Sequence, residues 1–490
     1  MRVPRAQARS RPVALIWIAA LLAVGAATLG IVHHASLSRV RRRAGAEPVR
    51  PIALVELARN KPAHASDSSA SSDAWLAAAA ALGRTVETYS AENLAEIPTR
   101  SYAVWILVNQ TELDDSDFAA LDSYLQLGGG AVLAGRTAAQ PVDGRTALER
   151  IFPGQHFAEL GSAATQLRVT GASPLVAGFA AGEELAVEPG AHSLAASSAD
   201  ALAWGGDAGG AALQVVYRGG AVAWLGVSPE RVAESTHARV LAENALRYAL
   251  REPLLDLRAW PDGRPCAVLV ESPSHKDKAS ACRVERDADA GESLRELSRA
   301  GCRYASVPPD GRALPELVDV DGKPLVTIPE DRADAAAVGS ALMRELLAGY
   351  ERAERIGGVY SLRADAGWRA KSGRQDLYTR VSRELRERGA WFAEPEELAR
   401  WWSARSGVRA DLAVLGRDRV RVTFANPGKV QARGVTARVY LPAGADTARI
   451  ESAPSFRAQP GLRVAGDHGW IEVIEPALDP GSEVSYTIRF

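Results

Sequence analysis

Between Val13 and Val32 the chain reads VALIWIAALLAVGAATLGIV, 20 residues without a charge. That is about the length an α-helix needs to cross a ~30 Å hydrocarbon core. The first expectation is therefore a transmembrane helix that divides the chain into a basic segment 1–12, a span 13–32, a linker 33–50 and a globular remainder. Arg2, Arg5, Arg9 and Arg11 precede the run, and Arg39, Arg41, Arg42 and Arg43 follow it. With both flanks basic, loop charge alone does not orient the span. A basic leader followed by one apolar segment, with no second long apolar run downstream, is the pattern of a signal anchor. It predicts a single-pass inner or plasma membrane protein whose globular part is extracytoplasmic. Cleavage around Gly25-Ala26-Ala27 is the alternative. The arginines of 33–50 read either as a solvated stop-transfer flank or as a contact for anionic headgroups.

The remainder has the composition of a folded protein. Of 490 residues, 47% are hydrophobic and 24% charged, and the length suggests roughly two to four domains. The formal net charge is −1, so no whole-chain electrostatic attraction to nucleic acid is expected. The 3 cysteines lack CxxC spacing for a zinc site. Cys282 and Cys302 flank a predicted helix and could bridge in an oxidising compartment, leaving Cys266 over. The other reading is that all are small buried hydrophobes.

Residues 51–252 alternate strands with helices. IALVEL (52–57), AVWILVN (103–109) and AVLAG (131–135) read as strands, the second being a continuous apolar run suited to a sheet covered on both faces. DSSASSDAWLAAAAALG (67–83) and DDSDFAALDSYLQLGGG (114–130) read as capped helices. LQVVYRGGAVAWLGV (213–227) reads as two strands joined at Arg218-Gly219-Gly220, and HARVLAENALRYAL (237–250) as a closing amphipathic helix. This is a doubly wound α/β pattern. AVWILVN, LQLGGGAVLAGR and GGAVAWLGVSPE followed by ENALRYAL together resemble the class I glutamine amidotransferase-like fold. An active member would carry a nucleophilic Cys on a strand-to-helix turn. The first cysteine here is Cys266, beyond this segment. Gly128-Gly129-Gly130 has no following GK[ST] and reads as a helix end rather than a phosphate loop.

Residues 260–405 form a second α/β segment, with strands PCAVLVE (265–271), CRYASV (302–307), PLVTIPE (324–330) and GGVYSLRA (357–364) between helices. Residues 408–490 alternate without helical periods and predict an immunoglobulin-like β-sandwich. The middle segment resembles the polysaccharide deacetylases through WPDGRPCAVLVES (260–272), LVTIPEDRAD (325–334) and GAWFAEPEELARWW (389–402). That resemblance implies an irregular β/α barrel. It also implies a metal held by one Asp and two His, a second Asp as base, and a late Leu-His as acid.

The sequence departs from that pattern at each part. Val270-Glu271-Ser272-Pro273-Ser274-His275 offers one carboxylate where two are expected. His275 is the only histidine between His237 and His468, and Tyr360-Ser361-Leu362-Arg363 ends in Arg363 where the acid belongs. A guanidinium with its pKa above about 12 is a poor proton donor. The resemblance thus implies a deacetylase-like pseudoenzyme that binds a polysaccharide or an envelope protein and holds no metal or other cofactor. Arg363, Asp365 and Trp368 are the candidate ligand contacts, and Trp391, Trp401 and Trp402 are expected to pack the last helix. The alternative is a divergent carbohydrate de-N-acetylase or esterase using Glu271, His275 and Asp277, with a divalent metal under that reading alone. A structural envelope protein without ligand is the third.

Overall fold

Strands that are apolar at every position need cover on both faces, and the first sheet meets that need. The computed structural model describes residues 50–57, 73–141, 145–160, 165–180, 182–188, 193–198, 201–205, 208–270, 282–284, 290–308, 314–329, 340–355, 357–361, 374–416, 418–442, 445, 447–452, 461–465 and 468–490. Residues 51–490 form one compact unit. Its first strands are β1 (Ile52–Leu57), β2 (Val86–Ala91), β3 (Val104–Val108) and β4 (Gly130–Ala134), and its first helices are α1 (Asp73–Ala81), α2 (Asp115–Gln126) and α3 (Ala147–Ile151). Five short strands follow: β5 (Phe157–Leu160), β6 (Gln166–Val169), β7 (Glu184–Ala186), β8 (Ser193–Ala196) and β9 (Leu202–Trp204). The hairpin β10 (Ala212–Tyr217) and β11 (Gly220–Leu225) and helix α4 (Ser235–Ala249) complete this region.

Among the described residues the main sheet runs β10-β11-β4-β3-β1-β2, parallel except for the β10–β11 hairpin. The hairpin turns on two residues with positive φ, Arg218 at 54° and Gly219 at 95°, as a tight primed turn requires. Alternate side chains sort cleanly to the two faces. Ile52, Leu54, Val104, Ile106 and Val132 pack with Trp75 and Ala78 of α1 and Leu241 and Ala245 of α4. Ala53, Val55, Trp105, Leu107 and Leu133 pack with Leu121 and Tyr124 of α2 and Leu148 and Ile151 of α3. Helix α2 starts on a reciprocal capping box between Asp114 and Asp117, which satisfies its first free N–H groups.

After α4 the chain does not stay with this sheet. Strand β12 (Leu254–Leu257) crosses to pair antiparallel with a strand about 180 residues later. The middle strands are β13 (Ala267–Leu269), β14 (Tyr304–Val307), β15 (Glu316–Val320), β16 (Lys323–Pro329), β17 (Val359–Ser361) and β18 (Trp391–Ala393). The helices among them are α5 (Ala290–Arg299), α6 (Ser340–Arg355), α7 (Arg374–Glu387) and α8 (Pro395–Ser406). The last strands are β19 (Arg409–Gly416), β20 (Arg419–Ala425), β21 (Ala432–Tyr440), β22 (Arg449–Ser452), β23 (Gly461–Ala465), β24 (His468–Leu478) and β25 (Glu483–Arg489).

Three parts of the expected architecture are corrected. The expected β/α barrel is not formed among the described residues: β17-β13-β18 and β14-β16-β15 are separate three-stranded sheets. Both edges of the short β13 are taken by β17 and β18, while β14 lies between β16 and an isolated bridge from Arg283 to Ser306, so no described ladder joins the two sheets. The described residues of 408–490 do not form the expected self-contained immunoglobulin-like sandwich either. The C-terminal strands make two four-stranded antiparallel sheets, β12-β21-β24-β23 and β19-β20-β25-β22, and the first takes its edge strand from residues 254–257. Their core is continuous with the middle segment, since Val422, Val439 and Ile471 share one cluster with Trp260, Ala267 and Trp402. Finally, no helix among the described residues is long and apolar enough to cross a membrane. Residues 13–32 lie outside the described residues, so the transmembrane helix and the extracytoplasmic placement built on it are not features of the fold as described.

Candidate ligand site

Glu271, His275 and Asp277 lie in 271–281, and Arg363, Asp365 and Trp368 lie in 362–373, both outside the described residues. The strands that precede those segments are neighbours, with Leu269 of β13 opposite Ser361 of β17. Among the described residues no group of three or more His, Cys, Asp or Glu is arranged to hold a metal ion.

The structure points instead to a cavity of about 820 Å³, within the usual range for small-ligand sites. One wall comes from the turn between β6 and β7, including Phe179 and Glu183. The other comes from β12 and the residues after it, from α8 and from the end of β21, and includes Asp256, Arg258, Trp260, Trp402, Arg405 and Tyr440.

Strand pairing and tight turns position the second wall. The β12–β21 ladder sets Leu254 opposite Tyr440 and Asp256 opposite Arg438, and the Arg258 N–H donates to the Thr436 carbonyl at 2.8 Å. The chain then reverses through Asp262 and Gly263, with φ of 54° and 65°. A side chain at Gly263 would bring its Cβ to 2.9 Å from Glu472 Oε2, so both the backbone angle and the close approach call for glycine. Trp260 is buried and donates through Nε1 to the Gly357 carbonyl at 2.7 Å. Its ring lies 5.6 Å from that of Trp402 and 6.0 Å from that of Trp391. On α8, Trp401 donates to the Ala259 carbonyl at 2.9 Å. Arg405 donates to the carbonyls of Arg258 at 3.1 Å and Leu257 at 2.6 Å, and its guanidinium lies 5.4 Å from the Trp402 ring centre.

Charge is concentrated on this wall. Arg438 and Glu472 form a buried pair, with Nη2 at 2.8 Å and Nε at 3.2 Å from one carboxylate oxygen, and Arg438 also covers the Trp470 ring at 4.7 Å. Burial works against the Arg438 cation, but Tyr440 and Glu472 together raise its pKa. The Tyr440 hydroxyl is pushed up to about 12 by burial and then by Asp256, with Arg438 opposing. The Arg405 pKa is lowered, first by burial and further by Arg258, with Asp256 opposing. Arg258 lies 3.7 Å from Asp256 and 3.9 Å from Glu472, both too long for hydrogen bonds, and its buried Nε has no hydrogen-bond partner among the described residues. On the opposite wall Glu183 is engaged by the Ala180 N–H at 2.6 Å and by His237 at 3.1 Å.

Sequence reasoning passed over this wall because 253–259 falls between the two segments it delimited. The signal was nevertheless in the text: Leu255-Asp256-Leu257-Arg258 alternates with period two, which puts Asp256 and Arg258 on one face of a strand.

No family model matches the sequence, and no curated protein matches it. Among solved structures, a β-galactosidase from Rahnella sp. R3 is 15% identical over 42% of this chain and 32% of its own, with a TM-score of 0.31. A GH42 β-galactosidase of G. stearothermophilus is 9% identical over 91% of this chain and 41% of its own, with a TM-score of 0.29. A ThuA-like protein from Bacteroides uniformis ATCC 8492 is 14% identical over 42% of this chain and 94% of its own, with a TM-score of 0.27. The chain therefore spans well under half the length of those β-galactosidases. An exo-β-1,4-mannosidase and an α-L-fucosidase are similar at the same level; these named neighbours are a carbohydrate-related set and do not bear on a deacetylase or amidotransferase domain. Likeness at this level assigns no activity to the chain.

Proposed function

We propose that this chain binds a carbohydrate in the cavity beside β12 and α8, without hydrolysing it by deacetylase chemistry. The observation that carries the reading is the composition of the lining: half-buried Phe179 contributes aromatic surface beside Asp256, Arg258 and Glu183, over a floor that includes the buried Trp260 and Trp402. A sugar presents apolar C–H faces ringed by hydroxyls, and aromatic surface flanked by charged donors and acceptors matches both. The deacetylase-like text of 260–405 supports a carbohydrate ligand, while its donor set argues against the metal mechanism. One histidine between His237 and His468 cannot supply two imidazoles, and Arg363 stands in place of the acid.

The test is calorimetry of the full chain against a panel of oligosaccharides, with Phe179→Ala and Glu183→Gln as variants. Both lie on the wall away from the Trp260–Trp402 packing. We expect at least one oligosaccharide to bind and either variant to weaken it by roughly tenfold, the scale of one lost aromatic or charge-assisted contact. No binding across the panel, or binding that neither variant affects, would remove the cavity as a carbohydrate site.

A further inference from the structure

The two guanidinia on the β12–α8 wall are unequally served by the protein. Arg438, behind them, has its own carboxylate at hydrogen-bond distance in Glu472. Arg405 has two backbone carbonyls and, among the described residues, no carboxylate within ion-pair distance. Among the described residues, Arg258 has only the long approaches to Asp256 and Glu472, and its buried Nε has no hydrogen-bond partner. Arg258, Arg405 and Arg438 bring three positive charges to this wall against two carboxylates, Asp256 and Glu472, so one positive charge is left over in a partly buried site, at a cost. An anion entering between Arg258 and Arg405 would remove it, and a planar carboxylate matches the guanidinium fork.

The other acids of the cavity limit where that anion can lie. Glu183 is held by His237, Glu184 lies 3.5 Å from Arg168, and Glu354 accepts from Tyr350 at 3.1 Å. Of these, Glu183 and Glu184 lie on the far wall and make it hospitable to sugar hydroxyls as donors and hostile to a second negative charge.

From this we infer that the cavity's ligand is an acidic saccharide, one uronate carboxylate seated against Arg258 and Arg405 and its neutral residues directed toward the acidic wall. The inference rests on the carbohydrate reading above and names the class of sugar. It involves no covalent step.

The experiment uses the full chain and aldouronic oligosaccharides, neutral chains bearing a single glucuronate or galacturonate, each paired with its carboxyl-reduced counterpart. We expect the acidic form to bind at least roughly tenfold more tightly than the reduced form, as one charge-assisted pair would give. That preference should shrink with added salt and be lost in Arg258→Gln. Arg405→Gln tests the second guanidinium, but Arg405 also ties α8 to β12 and its loss can unfold the wall. The wild-type comparison of acidic and reduced sugars therefore decides the matter without any variant. Equal binding of the two forms would overturn the acidic assignment and leave the carbohydrate site standing. Binding of neither form by any member of the panel would overturn both. A matching sugar phosphate that binds more tightly than the uronate would overturn the carboxylate assignment.

Discussion

Glu230 sits in the short turn Pro229–Arg231, just beyond the end of β11, with one carboxylate oxygen accepting from the Ser228 hydroxyl and the other buried without a hydrogen-bond partner among the described residues. Burial raises its pKa to about 7 from an ordinary 4.5. Ser228 and Arg231 oppose the rise, and Asp73 adds to it. The folded state thus favours the protonated acid. Its contribution to stability is complete below about pH 4.5 and is lost as pH rises through about 7. We expect Glu230→Gln to flatten the fall in melting temperature across that window and to gain roughly 2–3 kcal/mol at its alkaline end. An unchanged pH slope in the variant would show that the carboxyl is solvated. The Arg438–Glu472 pair makes the opposite kind of residue-scale expectation. Removing either charge leaves the other buried, so Arg438→Met or Glu472→Gln alone should cost roughly 3–5 kcal/mol, and the double variant less than the sum. Denaturant titration of the three variants checks this, and strict additivity would mean the pair is uncoupled. Neither feature was legible in the sequence, because Glu230 and Glu472 look like any surface glutamate until the strands around them are placed.

The elements that could be read in advance are those whose burial leaves a dense local record. AVWILVN and AVLAG correspond to β3 and β4, strands buried at every position, and Arg218-Gly219 marked the hairpin because only a positive-φ turn joins strands that closely. The strands β5 to β9 were not anticipated. They have three or four residues each, and their partners are set by neighbours distant in sequence. The cysteines lie between these cases. Their separation left both pairing and simple burial open, and the structure joins Cys282 to Cys302 with Cα atoms 5.8 Å apart. The bridge holds Cys282–Val284 alongside β14, where Val284 N–H donates to Ser306 O and Ser306 N–H donates to Cys282 O. Closing a loop with a sequence separation of 20 should stabilise by about 3 kcal/mol. Cys266 is buried, and its thiol is pushed up to about 12 chiefly by that burial. We expect a thiol-reactive probe to leave the native protein unlabelled and to label one cysteine on unfolding without reductant. Reduction first should lower the melting temperature and expose two more. Three reactive thiols on unfolding without reductant would show that the bridge does not form.

At the scale of the whole molecule, the sequence misleads by suggesting that residues contiguous in the chain fold together. Reading 260–405 as a barrel and 408–490 as a separate sandwich assigns each core to its own stretch. The strand that joins them, Leu254–Leu257, lies before both. Its partner Ala437–Tyr440 lies near the end, and no local pattern records a pairing across that distance. Helix α8 reinforces the join: Leu398, Trp401 and Trp402 lie in the same cluster as Val422, Phe424 and Val473, so the two segments share one core rather than facing each other across a polar boundary. A shared core makes unfolding cooperative across it, because opening the C-terminal sheets exposes the Trp260–Trp402 packing as well. We therefore expect residues 254–490 to unfold in a single transition. Hydrogen-exchange protection of α8 should then be lost in the same transition as that of β20, β21 and β25. A fragment of 408–490 alone lacks both β12 and α8 and should show no cooperative melt. If that fragment melts cooperatively with a dispersed amide spectrum, the C-terminal sheets are an autonomous domain. The wall that places Arg258 and Arg405 together would then be an interface able to open rather than part of a continuous core.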